Sequence, residues 1–220
     1  MTRPFSMTLT VRTAARQLNE AYLGQVPDTA QVLRGHGVTG WMMEDDVMVI
    51  LGQDSWKDWL FNSLDPFGVI GPEPPVGHDL EPQARRHGLT FHGGILEHAR
   101  VVYDLALQHR PRAIIGHSLG GAAAQIAGLV LEVPVISFGA PRPCWSRRRD
   151  PRESNVLNVM RVDDDVTKLP PWPMGFRPLG RPVTLVPFQR RFGRDHQMPH
   201  YVSILDEGHR GDRVPDRWPG

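Results

Sequence analysis

The amino-acid sequence predicts an α/β fold: a central, mostly parallel β-sheet with helices on both faces. Two observations carry this. From residue 93 onward, short apolar runs of strand length alternate with helical patterns, the arrangement that parallel strands joined by helical crossovers require. The chain also holds 22 glycines and 21 prolines in 220 residues, about a fifth of the whole. That falls short of the roughly 25–30% expected of low-complexity disorder, and 40% of residues are hydrophobic. The combination excludes a helical bundle and points to a compact core with long loops. At this length one domain is expected, large enough to bury a core without staples.

The elements follow in order. Residues 8–23 read as a helix, with Leu9, Val11, Ala14, Ala15, Leu18, Ala21 and Tyr22 near helical spacing and Gly24 as the stop. Residues 38–43 and 47–51 flank the turn Glu44-Asp45-Asp46 and suggest a hairpin. A short amphipathic segment follows at 55–64, then a loop over 65–90 with five prolines and no periodicity. Loops longer than about 12–15 residues are uncommon and often functional. A helix fits Gly93–His109, with Ile95, Leu96, Ala99, Val102, Tyr103 and Ala106 on one face. A buried strand at 112–116, a small-residue helix at 119–132 and strands at 133–139 and 156–162 come next. Residues 170–187 are again proline-rich, with a strand at 183–186. The last helix starts near Pro199, since proline suits a first turn, and 206–220 reads as a polar, frayed tail.

Charge and cysteine content narrow the setting. Lys and Arg total 25 against 24 Asp and Glu, which argues against a nucleic-acid binder. The single cysteine, Cys144, cannot form an internal disulfide and reads as a small buried residue. No apolar run suits a signal peptide or the roughly 18 residues of a membrane span. The expectation is therefore a cytoplasmic protein with no integral membrane segment.

The most informative stretch is Gly116-His117-Ser118-Leu119-Gly120-Gly121. It matches G-x-S-x-G between a predicted strand and a predicted helix, the context that marks a nucleophile elbow. The serine must sit on a tight, strained turn that exposes its oxygen. Flanking glycines avoid collision with strand and helix, and the alanines at 122–124 let the helix pack close. The helix N-terminus sets partial positive charge beside developing negative charge.

Serine needs a base, and the base needs an orienting acid. On α/β-hydrolase sheets the chain order is Ser, Asp or Glu, then His. Downstream acids cluster in Asp163-Asp164-Asp165, directly after a predicted strand, and two of the three read as solvated turn residues. The later histidines are His196, His200 and His209. His209 lies in the tail, His196 in the loop before the last helix and His200 one turn inside it.

Several further motifs resemble the class-3, or fungal-type, lipase family of the α/β-hydrolase fold. VMVILGQDSWKDWL (47–60) is similar to the family's strand ending in F-R-G-T with a following S-x-x-D-W-L, and Phe91-His92-Gly93-Gly94-Ile95 to its v-H-x-G-F. Ser137-Phe138-Gly139-Ala140-Pro141-Arg142 resembles its F-G-A-P-R turn, and residues 161–171 its N-D-x-V-P-x-L-P-P acid loop. Residues 195–201 resemble its H-x-M-x-x-Y ending. The motifs keep the family's order across 47–205.

The resemblance implies a triad of Ser118, Asp164 and His196, with His200 as the alternative base and Asp163 in the family's asparagine place. It implies oxyanion donors at the backbone N–H groups of Leu119 and Gln53. It also implies a single domain over 1–205 with a lid at 54–64, whose Trp56, Trp59 and Leu60 would face substrate or lipid, followed by the tail. Two departures stand out: Gln53 replaces the family's small hydroxyl residue, and Thr167 replaces the acid loop's proline. The expected activity is ester hydrolysis through an acyl-enzyme, without metal or cofactor, on an ester or lipid substrate, with a lipid interface and no nucleic acid as the expected partners. Phospholipase A1 or acyltransferase chemistry on the same triad, and a non-catalytic lipid- or partner-binding module, are the alternatives. Arg147-Arg148-Arg149 forms a basic loop that reads as solvated or as a contact for anionic lipid. His78, His87, His92 and His98 show no i, i+4 metal-binding pair or H-E-x-x-H helix.

Overall fold

The computed structural model describes residues 9–35, 37–52, 80, 88–189 and 195–218. Among these, eight strands form one sheet in sequential order: β1 (Gln31–Gly35), β2 (Val38–Met42), β3 (Val47–Ile50), β4 (Ala113–His117), β5 (Val135–Phe138), β6 (Val156–Arg161), β7 (Arg181–Val186) and β8 (Arg210–Gly211). Strands β3 to β7 are mutually parallel; β1, β2 and β8 attach antiparallel at the edges. This is the mostly parallel sheet that the alternating pattern predicts.

Strands β3, β4 and β5 are buried at every position because both faces are covered. In β3, Met48 and Ile50 point into one core, with α2 (Gly93–His109) and α3 (Ser118–Leu131). Val47 and Val49 point into the other, with α1 (Val11–Tyr22) and α4 (Met198–Glu207). Side chains alternate across a strand, so a four-residue run of large aliphatics serves two cores at once. Helix α1 opens on Thr10, whose hydroxyl accepts the Thr13 N–H at 3.0 Å, an N-cap interaction. It buries Val11, Ala14, Ala15, Leu18 and Ala21. The six predicted apolar residues of α2 are its buried face. Helix α3 is buried on all sides but its last residue, as expected of a helix that is apolar all round. Its small residues permit the approach: a Cβ on Gly120 would lie 2.2 Å from the Leu51 carbonyl oxygen.

Two expectations need correction, and one strand was not foreseen. Strand β1 has no counterpart in the sequence reading: it is an edge strand with Leu33 as its one fully buried residue, too short and too polar for a clear period-two signal. The tail is ordered against the body rather than frayed. Residues 206–207 complete α4, β8 pairs with β7, and Trp218 is buried with its N–H bonded to the Leu9 carbonyl. A sequence window sees a polar segment there, but the β8 pairing and one large buried aromatic side chain dock it. Finally, Asp163 is not a solvated turn residue, for the reason given below. The amphipathic segment 55–64 and all but the end of the 65–90 loop lie outside the described residues.

Candidate active site

The parallel strands bring their carboxyl ends to one edge of the sheet, where loops from distant parts of the chain converge. Ser118 stands between β4 and α3, with φ of 57°. This left-handed backbone costs a non-glycine residue roughly 1–3 kcal/mol, and the packed strand and helix on either side hold it there. Asp164 follows β6, and His196 precedes α4.

These three side chains form one hydrogen-bonded line. His196 Nδ1 lies 2.9 Å from Asp164 Oδ2 and 3.1 Å from Oδ1. His196 Nε2 lies 2.8 Å from Ser118 Oγ. An ionised carboxylate only accepts, so the imidazole proton sits on Nδ1. The bare Nε2 then accepts the Ser118 O–H, the arrangement a general base needs.

Asp164 is buried and fully engaged. Beyond His196, Oδ2 accepts the Tyr201 hydroxyl at 2.7 Å and Oδ1 accepts the Val166 N–H at 3.0 Å. Burial pushes its pKa up, but hydrogen bonds from His196 and Tyr201 together with the charge of His196 outweigh that, and the net shift is downward. The Tyr201 hydroxyl is itself raised well above its ordinary value by burial and by the Asp164 charge, so it remains a donor.

The neighbouring aspartates have different surroundings. Asp165 is exposed and pairs with Lys168. Asp163 is buried, and its carboxylate takes two hydrogen bonds from the Arg161 guanidinium at 3.1 Å each. Arg161 also reaches Asp195 Oδ1 at 3.2 Å and the His200 carbonyl at 2.9 Å. One buried guanidinium thus ties the acid loop to the loop that carries His196. Burial, then repulsion from Asp163, raises the Asp195 pKa against the pull of Arg161.

His200 supplies a backbone carbonyl to this cluster, and among the described residues His196, not His200, contacts Ser118. Leu119, predicted as an oxyanion donor, lies in the first turn of α3, where backbone N–H groups have no intrahelical partner. Gln53, Trp56, Trp59, Leu60, His78 and His87 lie outside the described residues. Cys144 is buried, and burial pushes its thiol up to about 11, as suits an inert packing residue. Among the described residues no group of three or more His, Cys, Asp or Glu side chains is placed to hold a metal.

Sequence reasoning missed Arg161 and Asp195. No local pattern marks their role, because the bond that ties the two loops joins residues 34 apart in the chain. Tyr201 had a signal, as the last residue of the H-x-M-x-x-Y ending.

Fold and site together define an α/β-hydrolase fold with an elbow serine in line with a histidine and an aspartate. No family model matches the chain. Lipase A of Sodiomyces alcalophilus is 33% identical over 138 residues, covering 48% of this chain and 32% of that protein. The chain therefore spans about a third of the length of that curated relative. Among solved structures, the lipase of Rhizopus microsporus var. chinensis has a TM-score of 0.54 at 18% identity, covering 84% of this chain and 78% of that one. Lip2 lipase of Yarrowia lipolytica has a TM-score of 0.51 at 16% identity, covering 78% and 76%. The resemblance to class-3, fungal-type lipases is borne out by these relatives.

Proposed function

We propose that this chain is a carboxylic ester hydrolase of the lipase or esterase kind, acting through an acyl-enzyme. The observation that carries the proposal is the unbroken line from Asp164 through His196 to a strained Ser118 at a helix N-terminus. Ser118 Oγ attacks the ester carbonyl carbon while His196 Nε2 takes its proton. Asp164 holds the Nδ1–H tautomer and stabilises the imidazolium. The Leu119 N–H receives the oxyanion, joined in our reading by that of Gln53. His196 then protonates the departing alkoxide, and the second half-reaction repeats these roles with water.

A lipid substrate is supported by the name of the relative in Sodiomyces alcalophilus and by two exposed aromatics on the loops after β5 and after the acid loop. Trp172 is 72% exposed and Trp145 46% exposed, and the Arg142 guanidinium lies 5.9 Å from the Trp172 ring centre. Exposed aromatics beside cations suit the boundary between lipid headgroups and acyl chains. Arg147 and Arg148 are also exposed and extend the positive surface.

The test is hydrolysis of p-nitrophenyl esters of graded chain length by the wild type, Ser118→Ala and His196→Ala, with and without a lipid interface. Both variants should lose at least a thousandfold in kcat, on the scale of triad deletions. Full turnover by Ser118→Ala would end the proposal. Activity surviving in His196→Ala but not in His200→Ala would transfer the base to His200.

A further inference from the structure

His117, the residue before Ser118, is buried and placed between two hydrogen-bonding partners. Its Nε2 lies 2.7 Å from the backbone carbonyl oxygen of His196, and its Nδ1 lies 2.8 Å from the Tyr22 hydroxyl. The same hydroxyl accepts the Gly52 N–H at 2.7 Å. Both ends of this series are backbone groups of fixed polarity, so the direction of every bond between them follows. A carbonyl only accepts, which places the His117 proton on Nε2. The ring is neutral at working pH, since burial first and the His196 charge second pull its pKa down to about 3. Nδ1 is therefore bare and accepts the Tyr22 O–H, while the Tyr22 oxygen accepts from Gly52.

Each connected group belongs to a different part of the site. Gly52 immediately precedes Gln53 and packs so close to the nucleophile that a Cβ there would lie 2.6 Å from Ser118 Cβ. His117 is the elbow's own residue. His196 carries the base, and its ring lies 4.6 Å from that of His117, tilted by 32°. Tyr22 closes the connection from the last turn of α1.

We infer that Tyr22 and His117 are positioning residues: a neutral hydrogen-bonded strap that holds the Gly52 backbone, the Ser118 elbow and the His196 backbone in register for attack. The inference rests on the hydrolase reading above. Neither side chain touches the reacting atoms in this arrangement. Their effect is on geometry, and a misplacement of about 1 Å can cost roughly a hundredfold in rate. A neutral strap also keeps a second positive charge away from His196 when it becomes an imidazolium.

The experiment uses Tyr22→Phe, His117→Gln and the double variant in the full chain. Two readouts are taken: kcat and KM on a short-chain p-nitrophenyl ester, and the rate at which an active-serine phosphonate labels Ser118. Tyr22→Phe keeps the ring and removes only the hydroxyl. The glutamine amide can still donate to the His196 carbonyl but removes the rigid ring that fixes an acceptor toward Tyr22 at the same time. Each single variant should lower kcat and the labelling rate about tenfold with KM within about twofold, less than the roughly 10²–10³ of a deleted oxyanion donor. The double variant should be no more than about twofold slower than the slower single one, because both break the same series.

Wild-type kcat and labelling in Tyr22→Phe overturn the inference, as do effects that multiply in the double variant or that fall on KM alone. A lowered thermal midpoint with unchanged kcat also overturns it, leaving a merely structural bond. If Tyr22→Phe does not fold, His117→Gln alone decides on the same kcat and labelling criteria. A wild type that neither hydrolyses esters nor labels at Ser118 sinks the hydrolase reading itself, an outcome distinct from an active wild type matched by Tyr22→Phe.

Discussion

Asp164→Asn is a near-isosteric change whose consequence follows from the donors around the carboxylate. The wild-type oxygens accept from His196 Nδ1, the Tyr201 hydroxyl and the Val166 N–H. An amide in the same place must turn its NH2 toward one of these donors. With nitrogen in the Oδ1 position it meets the Val166 N–H, a backbone group that cannot reverse. With nitrogen in the Oδ2 position it meets Tyr201, whose oxygen already takes the Arg161 N–H at 3.2 Å and whose O–H then lacks this acceptor. In the first orientation Nδ1–H keeps its 2.9 Å acceptor, but the Val166 N–H faces an amide donor. In the second the NH2 faces Nδ1 across that 2.9 Å contact, His196 relaxes by moving its proton to Nε2, and Nε2 can no longer take the proton of Ser118. We expect kcat to fall by about 10³–10⁴, roughly 4–5.5 kcal/mol in barrier, in line with tautomer loss in other triads. The assay is kcat on a soluble p-nitrophenyl ester, with circular dichroism to establish that the variant is folded. A folded Asp164→Asn within tenfold of wild type would refute the reasoning.

Further outcomes follow from the same contacts. Arg161→Met should leave Asp163 and Asp195 buried, each with 1% side-chain exposure, without their shared cation, a loss of about 3–5 kcal/mol at pH 7. Unpaired buried carboxyls have folded pKa values above their unfolded ones, so the penalty is absent below the unfolded value near 4 and grows as pH rises through the folded one. Urea denaturation at several pH values checks this, and a penalty independent of pH would contradict it. Trp218→Ala should cost about 3 kcal/mol, seen as a lower thermal midpoint, because the side chain is in the core beside α1; no change would restore the frayed-tail reading.

Much of the fold was legible because its signals are local. The runs at 112–116, 133–139 and 156–162 became β4, β5 and β6, since strands buried on both faces read as mostly apolar runs. The elbow was legible for the same reason: strand, tight turn and helix are consecutive, so Gly116, Ser118 and Gly120 meet their constraints within five residues. Strand β1 and the docking of Trp218 were not, because each depends on what another part of the chain offers. Leu33 has meaning only against the α2 face, and Trp218 only against α1 and the end of the sheet.

The aspartate cluster marks the boundary between the two kinds of information. From three consecutive carboxylates, residue type and spacing yield a solvated turn with one working member. In the folded chain Asp164 meets His196, Asp163 meets Arg161 and Asp165 meets Lys168 near solvent. By itself the sequence determined the layer order, the elbow and the kinds of residue available for a triad, since hydrophobic periodicity and turn sterics act over a few neighbours. Which histidine faces Ser118, which aspartate faces that histidine, and how Tyr22 joins them were decided only by tertiary structure. Those choices depend on distances of about 3 Å between segments 30 to 95 residues apart, and only the packed sheet and its two helical layers set them.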